Sequence, residues 1–362
     1  MKKIFVAATS RNDGKTTVAL GIIAALQEQT PAIGFIKPVG QRYLETPRGR
    51  FDEDAVLVDR VCALPCTLEH MSPVTVGRGF TRDYIMGERK HDLARHVLES
   101  FAAVADGKEV VVIEGTGHAG VGSVIDLSNA RVAKLLEAPV LIVSVGGIGH
   151  PIDEVALNLE LFRAEGVRVL GVVLNKVGRD KLEMIRTVAG RGFERIGVRL
   201  FGTIPDEPLL AELTMRIVLQ EIGGRLVNGA DNLDRPIRRI VIGAMTPHQF
   251  LDYFAPNSLV ITGGDREDLI LAAMSSHIGK AGQLGHVAGI ILTGGIMPHA
   301  SIMQLVNRTD VPAIVVPDDS YRTASVVHDL TAKIQPEDSA KIAAVRELVR
   351  NHVDLAGICN SL

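Results

Sequence analysis

Near its N-terminus the sequence reads Thr9-Ser10-Arg11-Asn12-Asp13-Gly14-Lys15-Thr16. The apolar segment Lys3–Ala8 precedes this run and predicts a strand, and Thr17–Gln27 after it has the pattern of an amphipathic helix. The run matches the pattern Gly-x-x-x-x-Gly-Lys-Ser/Thr, with Thr9 in place of the first glycine. A strand, this loop and a helix in that order predict an α/β domain whose loop binds phosphate.

The loop residues have distinct expected roles. Backbone N–H groups of such a loop point inward and surround phosphate oxygens. Lys15 is expected to neutralise the β- and γ-phosphates as a catalytic group, and Thr16 to place its hydroxyl on Mg²⁺, which prefers oxygen ligands. The alternative is a plain strand-to-helix turn with a lysine nearby. The nucleotide-binding residues predicted in this region are Thr9, Asn12, Asp13, Gly14, Lys15, Thr16 and Thr17.

Two acidic residues are candidates for the surroundings of Mg²⁺. Glu114 ends the apolar run Val110–Ile113, and a carboxylate at the end of a central parallel strand points into the ligand crevice of an open α/β sheet. The alternative for Glu114 is a solvated turn acid. Asp54 lies in an acidic run, residues 51–55, which could equally be a cluster of charges at a helix N-terminus.

Two further polar residues follow predicted strands. Lys37 precedes Pro38, which favours an extended backbone, so Lys37 could stabilise a transferring phosphoryl group. Asn175 follows the strand Val169–Leu174 and could contact the adenine edge. A carboxylate three residues after Asn175 would favour guanine, but that position is Gly178, so ATP is favoured over GTP. The alternative for Lys37 is a surface lysine, and the alternative for Asn175 is an ordinary polar loop after a strand.

Short β-branched runs alternate with helical patterns, which predicts a parallel sheet covered on both faces. A polar, helix-breaking segment at residues 206–208 places a boundary near residue 206. The predicted strands of the first part are Ile4–Ala8, Ala32–Lys37, Glu109–Glu114, Val140–Val145, Val169–Leu174 and Arg199–Ile204.

The second part repeats the same alternation. A helix is predicted over Leu209–Ile222, and two strand, Thr-Gly-Gly, helix units follow about one βα repeat apart. Their Gly-rich turns could bind an anion, or could be tight turns in which glycine supplies positive φ. A terminal helix, Ser339–His352, and a frayed end complete the chain. The predicted strands are Ile240–Ile242, Leu259–Ile261, Gly289–Leu292 and Ala313–Val316.

Length and composition limit the function classes. With 362 residues the chain is long enough for two domains, and the net charge of -3 argues against nucleic acid or an anionic membrane as main partner. The N-terminal apolar run is too short for a signal peptide, and no apolar stretch is long enough to span a membrane. Three cysteines, an odd and sparse count, fit a reduced compartment as free thiols, so we expect a cytoplasmic protein.

These pieces together resemble dethiobiotin synthetase and its relatives. The shared motifs are the loop at residues 9–16, then Lys37-Pro38-Val39, Asp54-Ala55, residues 112–115, residues 174–176 and Ile204-Pro205. The resemblance implies that Lys15 and Lys37 bind phosphates, that Thr16, Asp54 and Glu114 surround Mg²⁺, that Asn175 contacts adenine, and that the protein is a homodimer. Residues 40–42 and 116–119 depart from the substrate-binding positions of that family.

The second part resembles a DRTGG domain, through residues 241–245, the run Thr262-Gly263-Gly264-Asp265-Arg266 and residues 291–295. This domain order resembles the N-terminal region of long bacterial phosphate acetyltransferases. In those proteins a catalytic acetyltransferase domain would follow, and we do not expect acetyl transfer from this chain. The resemblance implies an α/β fold: a P-loop NTPase domain with a mostly parallel sheet at 1–206, a smaller α/β DRTGG domain at 207–330, and a C-terminal helix and tail at 331–362.

Three functions are compatible with these features. The first is a Mg·ATP-binding regulatory or accessory ATPase linked to a ligand-sensing or dimerising DRTGG domain, with ATP and Mg²⁺ as cofactors. The second is an ATP-dependent ligase or carboxylating enzyme that acts on a small carboxylate or diamine. The third is a non-catalytic interaction module. A nucleotide, and a small molecule at the DRTGG domain, are the expected ligands.

Overall fold

The computed structural model describes residues 1–88, 92–278 and 287–362. Contacts between residues divide the chain into two compact units. The first contains Met1–Glu207 together with Ile334–Leu362, and the second contains Pro208–Lys333. The C-terminal segment, which the sequence analysis set apart, is therefore part of the first unit.

The first unit is built on a six-stranded parallel sheet in the order β10-β9-β8-β1-β7-β2. All six strands predicted for this part are present, which confirms the α/β fold class. Two small two-stranded sheets, β3 with β6 and β4 with β5, accompany it. The strands are β1 (Lys2–Ala8), β2 (Ile33–Ile36), β3 (Val39–Gly40), β4 (Tyr43–Thr46), β5 (Gly49–Asp52), β6 (Val74–Thr75), β7 (Val110–Glu114), β8 (Val140–Val145), β9 (Val169–Val177) and β10 (Arg199–Pro205).

Helices cover this sheet because its inner strands are apolar on both faces. Every residue of β7 is buried, and so are five of the six residues of β8. One continuous core contains residues from β1, β7, β8 and the helices α5, α7 and α8. The helices are α1 (Lys15–Gln27), α2 (Glu53–Cys62), α3 (Leu68–Met71), α4 (Phe80–Ile85), α5 (Leu93–Ala105), α6 (Asn129–Leu135), α7 (Gly149–Ala164) and α8 (Leu182–Arg195).

The second unit has a five-stranded sheet in the order β12-β17-β16-β15-β14, in which only β12 is antiparallel to its neighbour. The four strands predicted for this part are present. The strands are β11 (Leu213–Thr214), β12 (Arg225–Asn228), β13 (Pro236–Ile237), β14 (Arg239–Ile242), β15 (Ser258–Gly263), β16 (Val287–Thr293) and β17 (Ala313–Val315), and the helices are α9 (Pro208–Ala211), α10 (Met215–Ile222), α11 (Pro247–Tyr253), α12 (Glu267–Ile278), α13 (Ala300–Val306) and α14 (Ser320–His328).

The single helix predicted over Leu209–Ile222 is wrong. The chain there forms α9, then the short strand β11, which pairs antiparallel with β13, and then α10. The Thr214 hydroxyl accepts a hydrogen bond from the Ile217 N–H and so caps α10. A threonine whose side chain caps a helix stands at the start of that helix, so a continuous helix cannot run through Thr214. This cap explains the break.

The two Thr-Gly-Gly turns differ in their backbone. Gly294 and Gly295 have φ of 79° and 67°, so they are in the left-handed region that favours glycine. Gly264 is needed for another reason, because a Cβ there would lie 1.8 Å from the Ile296 carbonyl oxygen. Positive φ therefore accounts for Gly294 and Gly295, and the close approach of Ile296 accounts for Gly264.

The chain ends with α15 (Ser339–His352) and α16 (Leu355–Ser361). The terminal helix is as predicted, but the frayed end is wrong. Asp354 caps α16 by accepting a hydrogen bond from the Gly357 N–H, and its own N–H donates to the Phe201 carbonyl at 2.7 Å. Both helices therefore belong to the packing of the first unit.

Helix α15 packs closely on α1, the helix that follows the predicted phosphate loop. Gly21 makes this approach possible, because a Cβ there would lie 2.3 Å from Val349 Cγ2. Gly190 on α8 is a helical glycine with more room, since its Cβ would lie 3.8 Å from Leu200 Cδ2. The two glycines thus form a matched pair for testing this contact.

Alanine at these two positions should change stability in opposite directions. Helix propensity favours alanine by about 1 kcal/mol, so Gly190→Ala is expected to stabilise the protein. Gly21→Ala should destabilise it by about 1–3 kcal/mol, because the added methyl overpacks the contact with Val349. Urea unfolding of both variants measures the difference. Equal shifts would contradict the close packing of α15 on α1.

No helix among residues 1–88, 92–278 and 287–362 has the length and apolar character needed to cross a membrane. The three cysteines are free, as expected, and burial raises the pKa of the Cys62 thiol to about 11.

Candidate functional site

The predicted phosphate loop lies at the carboxyl end of β1, between the ends of β7 and β8. Strand β1 pairs with β7 on one side and with β8 on the other, so the strand order reverses here, where open α/β sheets bind ligands. Gly14 has φ of 99° and Asn12 of 63°, and α1 begins at Lys15. Thr17 is half-buried in the first turn of α1. The loop therefore has the sharp turn into a helix N-terminus that anion binding needs.

Hydrogen bonds inside the loop hold its first residues. The Thr9 hydroxyl donates to Asp13 Oδ2 at 2.8 Å and lies 2.9 Å from the Ser144 hydroxyl of β8. The Ser10 N–H also donates to Asp13 Oδ2, at 2.6 Å. The φ of Thr9 is not positive, so a threonine can take the place of the first glycine without strain. The side chains of Thr9 and Asp13 thus shape the loop.

Strand β9 supports the loop from the other side. Asn175 is buried, and its Nδ2 donates to the Asp13 carbonyl at 2.8 Å. Lys176 Nζ donates to the Asn12 carbonyl at 2.7 Å. Asn175 was predicted to contact adenine, and its bond to the loop uses one of its two amide hydrogens. Lys176 received no role from the sequence, although it stands beside Asn175.

The lysine and threonine that end the loop lie toward β7. Lys15 is buried, its Nζ is 3.5 Å from the Ser10 carbonyl oxygen, and burial together with the positive charge of Lys37 lowers its pKa. The Thr16 hydroxyl donates to Glu114 Oε1 at 2.8 Å. The predicted phosphate ligand and the predicted metal ligands thus meet at one point.

Lys37 lies among three carboxylates at the same point. It is 4% exposed, and its Nζ is hydrogen-bonded to Asp54 Oδ2 and, at 3.0 Å, to Glu114 Oε1. Asp52 Oδ1 lies 3.6 Å away. Burial by itself would lower the pKa of Lys37, but the three carboxylates raise it well above its ordinary value. Lys37 is therefore a charged ammonium in an almost fully buried cluster.

The carboxylates respond unequally to this burial. Burial raises the pKa of Glu114 to about 7, although Lys37 opposes the shift. Burial acts in the same direction on Asp54, but the charge and hydrogen bond of Lys37 lower the pKa of Asp54 below its ordinary value. Of these two acids, Asp54 is therefore the more readily ionised partner of Lys37.

Asp52 was missed by the sequence analysis, although it lies in the acidic run 51–55. It caps α2, because its Oδ1 accepts a hydrogen bond from the Asp54 N–H at 3.0 Å. Asp54 belongs to the first turn of α2 and also reaches Lys37. The acidic run is thus both a helix N-terminal cluster and part of the site, so the two alternatives do not exclude each other.

The donors at this point fit Mg²⁺. Thr16, Asp54 and Glu114 offer only oxygen atoms, which Mg²⁺ prefers. Glu114 Oε2 is buried and has no hydrogen-bond partner among the described residues, so a lone pair is available to a cation. In the described part of the chain no group of three or more His, Cys, Asp or Glu could hold a metal by itself. Mg²⁺ commonly completes its shell with water and substrate phosphates, so few protein ligands suffice.

A polar cavity lies farther along the same edge of the sheet. It has a volume of about 190 Å³. Pro205 ends β10, and Arg179 follows β9 in a short 3₁₀ helix. One side of the cavity is formed by α15. The lining residues are Arg179, Pro205, Glu207, Ala344, Glu347, Leu348, Asn351 and His352.

Comparison with known proteins agrees with the two-unit organisation. A family model described as an AAA domain matches residues 2–214, and a DRTGG domain model matches residues 217–330. The DRTGG domain expected from the Thr-Gly-Gly-Asp-Arg run is thereby confirmed. The chain thus joins a P-loop NTPase-like domain to a DRTGG domain.

The similar curated proteins include phosphate acetyltransferases. That of Nitratidesulfovibrio vulgaris is 26% identical over 361 residues, which cover 97% of this chain and 50% of the relative. That of Pseudomonas putida is 29% identical over 378 residues, with 98% and 51% covered. The chain spans about half the length of these relatives, as the predicted resemblance to their N-terminal region requires.

Among solved structures, the MinC:MinD cell division protein complex of Aquifex aeolicus matches 58% of this chain and 84% of the matched chain, with 17% identity and a TM-score of 0.36.

Proposed function

We propose, since this chain belongs to the AAA-domain family and also carries a DRTGG domain, that it binds Mg·ATP through residues 9–16 and acts as a regulatory or accessory ATPase. The observation that carries this proposal is the convergence of Lys15, Thr16 and Glu114 at the turn of Gly14. A positive side chain, a hydroxyl and a carboxylate beside a helix N-terminus suit the phosphates and the metal of a nucleotide.

In this proposal Thr16, Asp54 and Glu114 surround Mg²⁺, which would neutralise charge on the phosphates. Lys15 neutralises the β- and γ-phosphates. The backbone of Asn12, Asp13 and Gly14 surrounds the phosphate oxygens. Lys37 stabilises the terminal phosphate once it is free to turn toward it.

We assign the base to the cavity beside Pro205, because it lies at the same edge of the sheet as the loop. Asn175, which was predicted to contact adenine, does not line this cavity. Arg179, four residues farther along the chain, does line it. Adenine is favoured over guanine because Gly178 stands where a carboxylate would receive the guanine N–H groups. The chain thus offers space for a base without the acid that selects GTP.

Calorimetric titration of the full chain with Mg·ATP and with Mg·GTP tests this function. We expect Mg·ATP to bind and Mg·GTP to bind at least about tenfold more weakly, a difference of about 1.4 kcal/mol. Absence of binding by either nucleotide would refute the proposal. Equal binding would refute the assignment of ATP but keep the phosphate site.

The base site makes a separate prediction. Asn351 is exposed on α15 at the cavity, so a tryptophan there can fill the cavity without disturbing the core. Asn351→Trp is expected to weaken ATP binding by about tenfold and to leave tripolyphosphate binding unchanged. Calorimetry with both ligands measures this. Unchanged ATP binding would place the base elsewhere.

The second unit is assigned a regulatory role in this proposal, either sensing a small molecule or joining two copies in a homodimer. Sedimentation at micromolar concentration would show a dimer mass, and a monomer would refute that part.

We place the protein in the cytoplasm, with no nucleic acid or membrane partner. The acetyltransferase activity named for the relatives belongs to proteins about twice as long as this chain.

A further inference from the structure

Lys37 is in contact with both acids to which we assign Mg²⁺. Its Nζ is hydrogen-bonded to Asp54 and, at 3.0 Å, to Glu114 Oε1, the oxygen that also accepts from Thr16. The ammonium and the metal therefore draw on the same carboxylates. The proposed function leaves open how both cations are accommodated.

We propose that the Lys37 ammonium is a resident counter-ion that excludes divalent metal from this site until a nucleotide draws Lys37 away. The inference rests on the proposed function, because the phosphates are what Lys37 would turn toward. It makes metal binding conditional on nucleotide binding.

The charge balance of the cluster supports this exchange. Three carboxylates face a single ammonium, and of these Asp52 and Glu114 are buried and Asp54 is half-buried. Buried carboxylates without a cation are costly, so a resident ammonium stabilises the cluster when no metal is bound. Lys37 is tethered in place, so its effective concentration at the site is high, whereas Mg²⁺ gives up its water reluctantly.

A nucleotide changes this competition. Its phosphates offer the Lys37 ammonium new oxygen partners within the same site, so Lys37 can leave the carboxylates without becoming unpaired. Asp54 and Glu114, released from the ammonium, would then hold the doubly charged metal. Lys15 does not compete in this way, because the hydrogen bond found for its Nζ is to the Ser10 carbonyl oxygen, at 3.5 Å.

The test measures Mn²⁺ binding to the nucleotide-free full chain. The electron paramagnetic resonance signal of free Mn²⁺ reports how much of the metal remains unbound. Lys37→Gln is expected to bind Mn²⁺ at least about tenfold more tightly than the wild type. Lys134→Gln, the same change at an exposed lysine of α6, should alter Mn²⁺ binding by less than about threefold.

A second variant separates exclusion by Lys37 from a gain of net negative charge. Lys37→Gln combined with Asp52→Asn leaves the net charge unchanged, keeps a capping residue on α2 and retains Asp54 and Glu114. It removes one buried charge of each sign, so it also guards against failure of the single variant to fold. This double variant should also bind Mn²⁺ about tenfold more tightly than the wild type.

The inference would be overturned if the wild type bound Mn²⁺ as tightly as Lys37→Gln and as the double variant. Mg·ATP titration of the wild type is done alongside. If ATP binds while Mn²⁺ affinities are equal, the exchange fails and the proposed function stands. If ATP does not bind while the variants gain Mn²⁺, Lys37 excludes metal but the nucleotide function fails.

Discussion

Replacing Lys15 with alanine is expected to weaken Mg·ATP binding by about 100-fold or more, a loss of about 2.7 kcal/mol. Lys15 is 8% exposed and stands at the start of α1, where the loop ends. Its charge acts on phosphate oxygens in a site with little water, where a charge is worth more than at the surface. Without it, Lys37 is the remaining lysine in this cluster, and three carboxylates hold Lys37.

Calorimetric titration with Mg·ATP measures this loss, and thermal unfolding checks that the variant is folded. Lys134→Ala is a matched control. Lys134 is exposed on α6 and pairs with Glu165 at 3.2 Å, so its removal should leave ATP binding unchanged. If Lys15→Ala binds Mg·ATP within about threefold of the wild type, phosphate is not held by this loop.

The sequence was a good guide to the parallel sheets. Strand β8 begins and ends where it was predicted, at Val140 and Val145. Buried parallel strands are continuous apolar runs, and polar turns bound them, so the signal is local. The same holds for the strand, loop and helix around residues 9–16, since these elements are adjacent in the chain.

Contacts between distant segments could not be predicted. Lys37, Asp54 and Glu114 were each identified, but nothing in the sequence shows that they bond to one another across 17 and 77 residues. Lys176 was missed for the same reason, because it supports Asn12 from 164 residues away. The break at Thr214 was missed because β11 forms only by pairing with β13.

Replacing Gly14 with alanine is expected to reduce both stability and Mg·ATP binding. At φ of 99° an alanine is strained, at a cost of about 1–2 kcal/mol. Its Cβ would also lie 1.9 Å from Asn175 Nδ2, a buried amide that donates to the Asp13 carbonyl. Either the loop or Asn175 has to move, so we expect about 2–4 kcal/mol less stability and at least about tenfold weaker binding.

The double variant Gly14→Ala with Asn175→Ala separates the two causes. It removes the clash but keeps the strained backbone, so it should recover stability relative to Gly14→Ala alone, although Asn175 also supports the loop. Gly149→Ala is the control, since a Cβ there meets nothing within 4 Å and its φ is not positive. Urea unfolding and calorimetry of all three variants measure the effects. A Gly14→Ala protein as stable as Gly149→Ala would mean that the loop does not turn at Gly14, and both the phosphate site and its support by Asn175 would have to be abandoned.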